Sequence, residues 1–528
     1  MSASSSSDVD YSQDVEFYLS PPDIEEELQL PLHEATPPEC KPAITIAETR
    51  SRRKARLLQL ALTRSPSPIY SLPCEMLSLI FTEYCLMSIS PNKKPSPQSV
   101  LTQVCSTWRQ VAHGTPRLWS RFQALLGDNG FEVHGDAMTT WLGRSGEVPL
   151  EIAIRPKDIT FSPPSNILEC MGSFCHRLRI LHLAIPLHAV IPLSLLPGFP
   201  LLTALNLSLI RDESTRSGPN KVGANDIGQL EPGYHQLSIL RNSPRLTDLK
   251  FVGWELSKEM VPKVLSLLLP VSQLNTVQLL VAAEACHILM DPLPYLKILE
   301  GSCASLVQCT LRCPQWMSGI IVPGITFPLL QILDLVDWHD ECESRFLNAI
   351  TVPSLRYFRT NHTYHGGFVN ESFASDMIDL QERSSAPLRT FELLGMHELP
   401  VDDLLSILAV FPMLHNLGLN QCDLDTAPLM QGLEYHSNKP LLVPRLQSFS
   451  FKNAQLKPKG SDRYIADMVE SRNTTRDHPE QRPVDLHRIS KLTVIFEKQS
   501  LSHAVTRRLK NSGIRELTLT DKSKKKMN

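Results

Sequence analysis

Glycine is scarce in this sequence, at 23 of 528 residues against 41 prolines, or about 4% and 8% where roughly 7% and 5% are usual. The chain is therefore expected to turn on stiff prolines, and no glycine-rich phosphate loop of the P-loop, Rossmann or kinase kind occurs in it. Charge of one sign is missing too. The 52 Lys and Arg against 55 Asp and Glu leave a net −3, so no global field draws the protein to nucleic acid or an anionic membrane. The N-terminus lacks the charged-then-apolar pattern of a secretory leader, and the 12 cysteines are dispersed. Both features predict a reducing compartment, cytoplasmic and/or nuclear. The Asn-x-Ser/Thr matches at Asn206, Asn361, Asn370 and Asn473 are then expected to stay unmodified. The uncharged run from Ile180 to Ile210 contains Pro186, Pro192, Pro197 and Pro200, which excludes a membrane-spanning helix there.

What is present points to several structural units. At 42% hydrophobic and 20% charged, the chain has material for a large core. Residues 1–43 are Ser-rich, then acidic through Asp23, Glu25, Glu26 and Glu27, and are expected to be a disordered tail. Residues 44–68 hold Arg50, Arg52, Arg53, Lys54 and Arg56 ahead of Leu57, Leu58, Leu60 and Leu62, the pattern of a basic helix, ended by Ser65-Pro66-Ser67-Pro68. Residues 521–528 form a basic tail around Lys522, Lys524, Lys525 and Lys526, most simply a solubilising one.

Residues 69–125 read as a compact helical unit. Pro73, Met76/Leu77, Ile80/Phe81 and Tyr84 recur at steps of three and four, the mark of one apolar helix face. Ser71 is placed to cap that helix, with Pro73 and Glu75 in its first turn. After the polar loop Ser88–Gln98, a second stripe is formed by Leu101, Val104, Cys105, Trp108, Val111 and Ala112, stopped by Gly114 and Pro116. So small a core is not comfortably stable alone. The strings Ile69–Phe81 (IYSLPCEMLSLIF), Val104–Ala112 (VCSTWRQVA) and Thr115–Trp119 (TPRLW) together resemble an F-box, in the form found in large mushroom-type fungal families. The resemblance rests on Leu72, Pro73, Glu75, Leu77, Ile80, Phe81, Val104, Cys105, Trp108, Arg109 and Trp119. It implies that these residues make the F-box core and its contact with a Skp-type adaptor. The loop Ser88–Gln98 is longer than in a minimal F-box, and the motif covers about a tenth of the chain.

Beyond a connector at 126–164, residues 165–520 repeat a six-residue core, apolar-x-x-apolar-x-apolar. Examples are Leu178/Leu181/Leu183, Leu202/Leu205/Leu207, Leu246/Leu249/Phe251, Leu330/Leu333/Leu335, Leu414/Leu417/Leu419 and Leu446/Phe449/Phe451. Leu355/Phe358 is a weaker copy ending in Thr360. Several neighbouring copies start 24 to 33 residues apart, for example 202−178 = 24, within or near the leucine-rich-repeat range. Proline stands two residues before the first Leu at Pro200, Pro244, Pro328, Pro353, Pro412 and Pro444, and is expected to set an extended approach to each strand. The expected fold is α/β: the helical unit followed by a leucine-rich-repeat-like solenoid of short parallel strands and helices. Near the C-terminus, Leu492–Phe496, Leu501–Lys510 and Ile514–Leu519 read as strand, helix, strand, with Gly513 at the helix end.

No catalytic constellation accompanies this repeat. His362-x-x-His365-Gly366-Gly367 lacks a helix to align its imidazoles, and no G-x-S-x-G elbow exists for it to serve. It is expected to be a solvated loop pair, removable without loss of fold. The run His339-Asp340-Glu341-Cys342-Glu343 has no ligand spacing and reads as a solvated loop. Cys303, Cys309 and Cys313 lack a second clustered pair. No enzyme activity, cofactor, metal or membrane partner is expected, and no nucleic-acid partner. The F-box resemblance implies a substrate-recognition subunit of a cullin-based, SCF-type ubiquitin ligase, binding the Skp-type adaptor and, through it, cullin. The repeat body would hold an unidentified protein target. The alternatives are an F-box scaffold acting outside ubiquitination, or an enzyme with its site in the C-terminal body.

Overall fold

The computed structural model describes residues 68–87, 96–126, 135–156, 165–186, 196, 198–210, 243–256, 272–283, 293–312, 322–336, 340–362, 372–397, 399–422, 424–436, 439–454, 460–473, 486–496 and 501–521. The acidic tail, the basic segment as far as residue 67, the loop 88–95, Cys313, His339, His365 and the Lys-rich end lie outside the described residues. Contacts divide the chain into Met1–Leu72 and Pro73–Asn528. Of the first unit, residues 68–72 are described, with a 3-10 helix at Pro68–Ser71.

The second unit carries a sheet of fourteen strands, all parallel, whose order in space is their order in the chain, from Arg121–Leu126 to Glu516–Asp521. Parallel neighbours require a crossover between them. Late in the chain, each crossover contributes a helix: Phe373–Ser384, Val401–Val410, Thr426–Leu433, Asp462–Asn473 and His503–Asn511 pack one on the next. One strand and its return segment thus form a unit stacked on its neighbour, the α/β solenoid expected from the repeat.

Strand register explains the six-residue pattern. Leu205 pairs with Leu181 and Leu249, Leu333 with Cys309 and Phe358, and Leu417 with Phe391 and Phe449. Residues two further on, such as Leu183, Leu207 and Phe251, align in the same way. The second and third apolar positions therefore build two continuous buried columns. A buried Leu or Phe stabilises by about 1.5–3 kcal/mol, but only when stacking covers it on both sides.

The prolines act in a turn rather than through an extended approach. Leu202 N–H donates to Phe199 O, Leu246 to Ser243, Leu330 to Phe327, Leu355 to Val352, Leu414 to Phe411 and Leu446 to Val443. Each bond closes four residues with proline in the second place, where its fixed φ favours a β-turn. The turn delivers the first Leu of each core to the buried side just ahead of its strand.

The sheet begins earlier than the expected boundary at 165. Arg121–Leu126 lies within the segment assigned to the helical unit, and Leu150–Pro156 within the connector. Phe122 and Ala124 pair with Ile152 and Ile154, so Trp119/Phe122/Ala124 is itself a copy of the core, with Trp in the first Leu place. In the second strand Leu150 stands only two residues before Ile152, and the pairing shifts by one residue there, which hides the copy from a fixed-spacing reading. At the other end the expected strand, helix and strand occur as Lys491–Phe496, His503–Asn511 and Glu516–Asp521, with Gly513 at φ +78° after the helix.

Candidate functional site: an exposed apolar helix face

Among the described residues, three α-helices precede the sheet: α1 (Cys74–Met87), α2 (Pro97–Val104) and α3 (Ser106–His113). The expected second helix is thus two. The break falls at Cys105, whose backbone is extended (φ −159°, ψ 173°) and whose Sγ accepts from Trp108 N–H at 3.4 Å as the cap of α3. Ser96 caps α2, its hydroxyl accepting from Ser99 N–H at 3.2 Å. Helix α1 starts from Pro73, whose carbonyl accepts from Met76 and Leu77, not from Ser71.

The unit has a small core of its own, made of Leu77, Phe81, Leu101, Ala112, Leu118 and Trp119. The Phe81 and Trp108 rings lie 4.8 Å apart, tilted by 53°. Arg109 Nε donates to Thr102 O at 2.8 Å, tying α3 to α2. Trp119 joins this core to the sheet. Its indole N–H donates to Ala112 O at 2.8 Å, its ring meets Trp141 edge-on at 4.8 Å, and the Arg144 guanidinium lies over it at 4.6 Å.

Position by position, the eleven expected site residues separate into three sets. Leu77, Phe81 and Trp119 are core. Leu72, Cys105 and Trp108 are half-buried. Pro73, Glu75, Ile80, Val104 and Arg109 are exposed. In the first turn of α1, the exposed Glu75 carboxyl is held below its usual range by its own backbone N–H. The single apolar stripe expected on α1 is in fact two. Leu77 and Phe81 point inward, while Met76, Ile80, Tyr84 and Met87 run along an outer face, joined by Leu79 and Leu86. Val100 and Val104 add to it from α2, which α1 contacts. Exposure reaches 44% for Ile80, 52% for Val104, 56% for Leu79 and 84% for Met87.

Among the described residues, eight of the nine large apolar side chains that are exposed belong to this unit, the ninth being Leu329. A helix that carries large apolar side chains on its outer as well as its inner face ordinarily has both faces covered. This exposed outer face of α1 and α2 is therefore the candidate docking surface.

One described residue from each of the histidine and acidic segments, His362 and Glu343, lies in a buried cluster rather than in a solvated loop. His362 and Glu343 are both buried, with His362 Nε2 2.8 Å from Glu343 Oε2. The Thr360 hydroxyl donates to Glu343 Oε1 at 2.6 Å and lies 3.3 Å from His362 Nε2. Thr360 occupies a column position that is leucine on both flanking strands, Leu335 and Leu393, so its hydroxyl and both partners had to be drawn inside together. The Glu343 and Thr360 contacts of the ring both fall on Nε2. Cys309 sits in an apolar column, its thiol pushed far up by burial. No group of three or more His, Cys, Asp or Glu suited to a metal occurs among the described residues. No helix among them is long and apolar enough to cross a membrane.

No protein-family model matches this chain, and no curated protein does. Among solved structures, the chain is similar to one described as the crystal structure of the Rad7 and Elc1 complex in yeast. The identity is 12% and the TM-score 0.31, over 81% of this chain and 91% of that one. A likeness this remote carries no functional argument.

Proposed function

We propose that this chain is a non-catalytic recognition subunit of a cullin-based ubiquitin ligase. In this reading α1 and α2 dock on a Skp-type adaptor, and the repeat body holds a protein target. The observation that carries the reading is the concentration of exposed apolar side chains on one small helical unit, coupled through Trp119 to a solenoid. Stacked repeats offer an extended binding surface, and linkage through an adaptor would raise the target's effective concentration near the transferring enzyme. Catalysis belongs to other subunits.

The test is retention of a Skp-type adaptor by full-length protein. Ile80→Glu with Val104→Glu changes only exposed positions, so the melting temperature should hold. Placing charges at an interface centre costs at least about 2 kcal/mol, roughly thirtyfold in affinity. Wild type that retains no adaptor, or a variant that retains it undiminished, refutes the reading. Retention without any target turnover leaves the scaffold role outside ubiquitination.

A further inference from the structure

A cleft of about 470 Å³ opens at the starting ends of five successive strands in the C-terminal half of the sheet. Its floor is the residue just ahead of each strand: Gln331, Arg356, Arg389, His415 and Gln447. The backbone fixes this row. Arg356 N–H donates to Gln331 O, Arg389 N–H to Arg356 O, His415 N–H to Arg389 O and Gln447 N–H to His415 O, all at 2.8–2.9 Å. The five side chains thus stand one per strand, at steps of about 4.8 Å.

Two adjacent members of the row are arginines. Both are exposed, and among the described residues no carboxylate and no side-chain hydrogen bond engages either guanidinium. The carboxylates on the strands beside them are already taken. Asp334 holds Arg359 at 2.9 Å, and Glu392 accepts from the Tyr357 hydroxyl at 2.8 Å. The rest of the row is polar and pre-set. His415 donates through Nδ1 to Met413 O at 2.6 Å, and Gln447 Nε2 donates to His487 Nδ1 at 2.7 Å.

We propose that this cleft binds an oxyanion, a phosphate monoester or carboxylate carried by an extended segment of the partner polypeptide, clamped between Arg356 and Arg389. The proposal rests on the reading of the repeat body as a protein-binding surface. Guanidinium forks match oxyanions with paired, charge-assisted hydrogen bonds. The row from Gln331 to Gln447 spans four strand steps, about 19 Å. An extended chain at about 3.3 Å per residue crosses that distance in roughly six residues, placing one acidic side chain at the arginine pair while its backbone meets the flanking amides.

Fluorescence anisotropy on the full-length protein tests this with three labelled peptides, Gly-Ser-Gly-X-Gly-Ser-Gly, where X is phosphoserine, glutamate or serine. At low salt, at least one anionic peptide should bind tenfold or more tighter than the serine peptide. Arg356→Gln with Arg389→Gln should reduce it to the serine level, while Arg463→Gln, at an exposed arginine outside the row, should not. Binding of the phosphoserine peptide alone identifies phosphate; equal binding of both shows that a carboxylate suffices. The site is refuted if no anionic peptide gains over serine, or if the double variant binds as wild type does. None of these outcomes bears on α1 and α2, whose adaptor contact is scored separately.

Discussion

Removing the Glu343 carboxylate should cost far more than an exposed loop change. Glu343 accepts from Thr360 at 2.6 Å and pairs with His362 at 2.8 Å, and all three residues are almost fully shielded from water. In Glu343→Ala both partners lose their acceptor where solvent does not replace it. Each group that loses the Glu343 acceptor costs about 1–3 kcal/mol, so the two together cost about 3–5 kcal/mol. In a stacked array this loss is felt locally. Amide exchange of the strand Tyr357–Asn361 should therefore accelerate by roughly a hundredfold to a few thousandfold, at about 1.4 kcal/mol per decade. Replacing all three groups by apolar ones, Glu343→Leu with Thr360→Val and His362→Leu, should recover most of the loss, since apolar replacement of a buried pair is often neutral or better. An acceleration below tenfold in Glu343→Ala, or a triple variant weaker than the single one, refutes the account.

Other residues give shorter tests. Arg472 is fully buried and donates to Leu433 O, Val443 O and Leu442 O at 2.7–3.2 Å, while burial draws its pKa down to about 10, leaving it charged at neutral pH. Arg472→Met strands those carbonyls and should lower stability by about 3 kcal/mol or more by denaturant midpoint. Asn473 is a buried clasp, donating to Ile489 O and Ser512 O and accepting from Ile489 N–H; Asn473→Ala should loosen exchange in Lys491–Phe496 and Glu516–Asp521 before any other strand. Burial pushes the Cys422 thiol up to about 12 and the Cys85 thiol up to about 11. The reactive form is the thiolate, so alkylation of native protein at either site should be slow at pH 8 and rise about tenfold per pH unit, read by mass spectrometry.

The columns of the solenoid were legible because the apolar-x-x-apolar-x-apolar spacing is itself the strand geometry: alternation places Leu181 and Leu183 on one side, and the turn at proline places Leu178 there too. Spacing is blind where a neighbour rather than the pattern decides. Trp119 reads as the end of a helical motif, yet also fills the first Leu place of the first repeat. Thr360 breaks an apolar column, and only the approach of helix Asp340–Ala349 brings Glu343 to its hydroxyl. On α1 the steps of three and four fit Met76/Ile80/Tyr84 and Leu77/Phe81 equally well. Which stripe faces inward is settled by α3 and its Trp108, not by period. Cys105 carried no break signal other than its own weak capping capacity, since Ser106 and Thr107 beside it are commoner caps.

Trp119 allows a last prediction, about how independent the helical unit is. Its side chain is shared by two cores, donating to Ala112 O in α3 and packing on Trp141 above the first strand. Deleting a buried Trp costs about 3–5 kcal/mol, and here both neighbours lose area at once. Stability in stacked arrays is a sum of local and nearest-neighbour contributions, so the damage should stay at this end of the chain. In Trp119→Ala, amides of α1–α3 and of Arg121–Leu126 should exchange much faster, while those of Asn416–Asn420 and Lys491–Phe496 keep wild-type rates. Trp108→Ala removes the ring packed at a tilt against Phe81 and should loosen α1–α3 while sparing Arg121–Leu126, because Trp108 has no ring contact with the sheet among the described residues. Two variants with the same pattern would mean that α1–α3 and the first repeat melt as one body. Loosening that reaches the last strands in Trp119→Ala would mean that the sheet does not behave as a stack of local units.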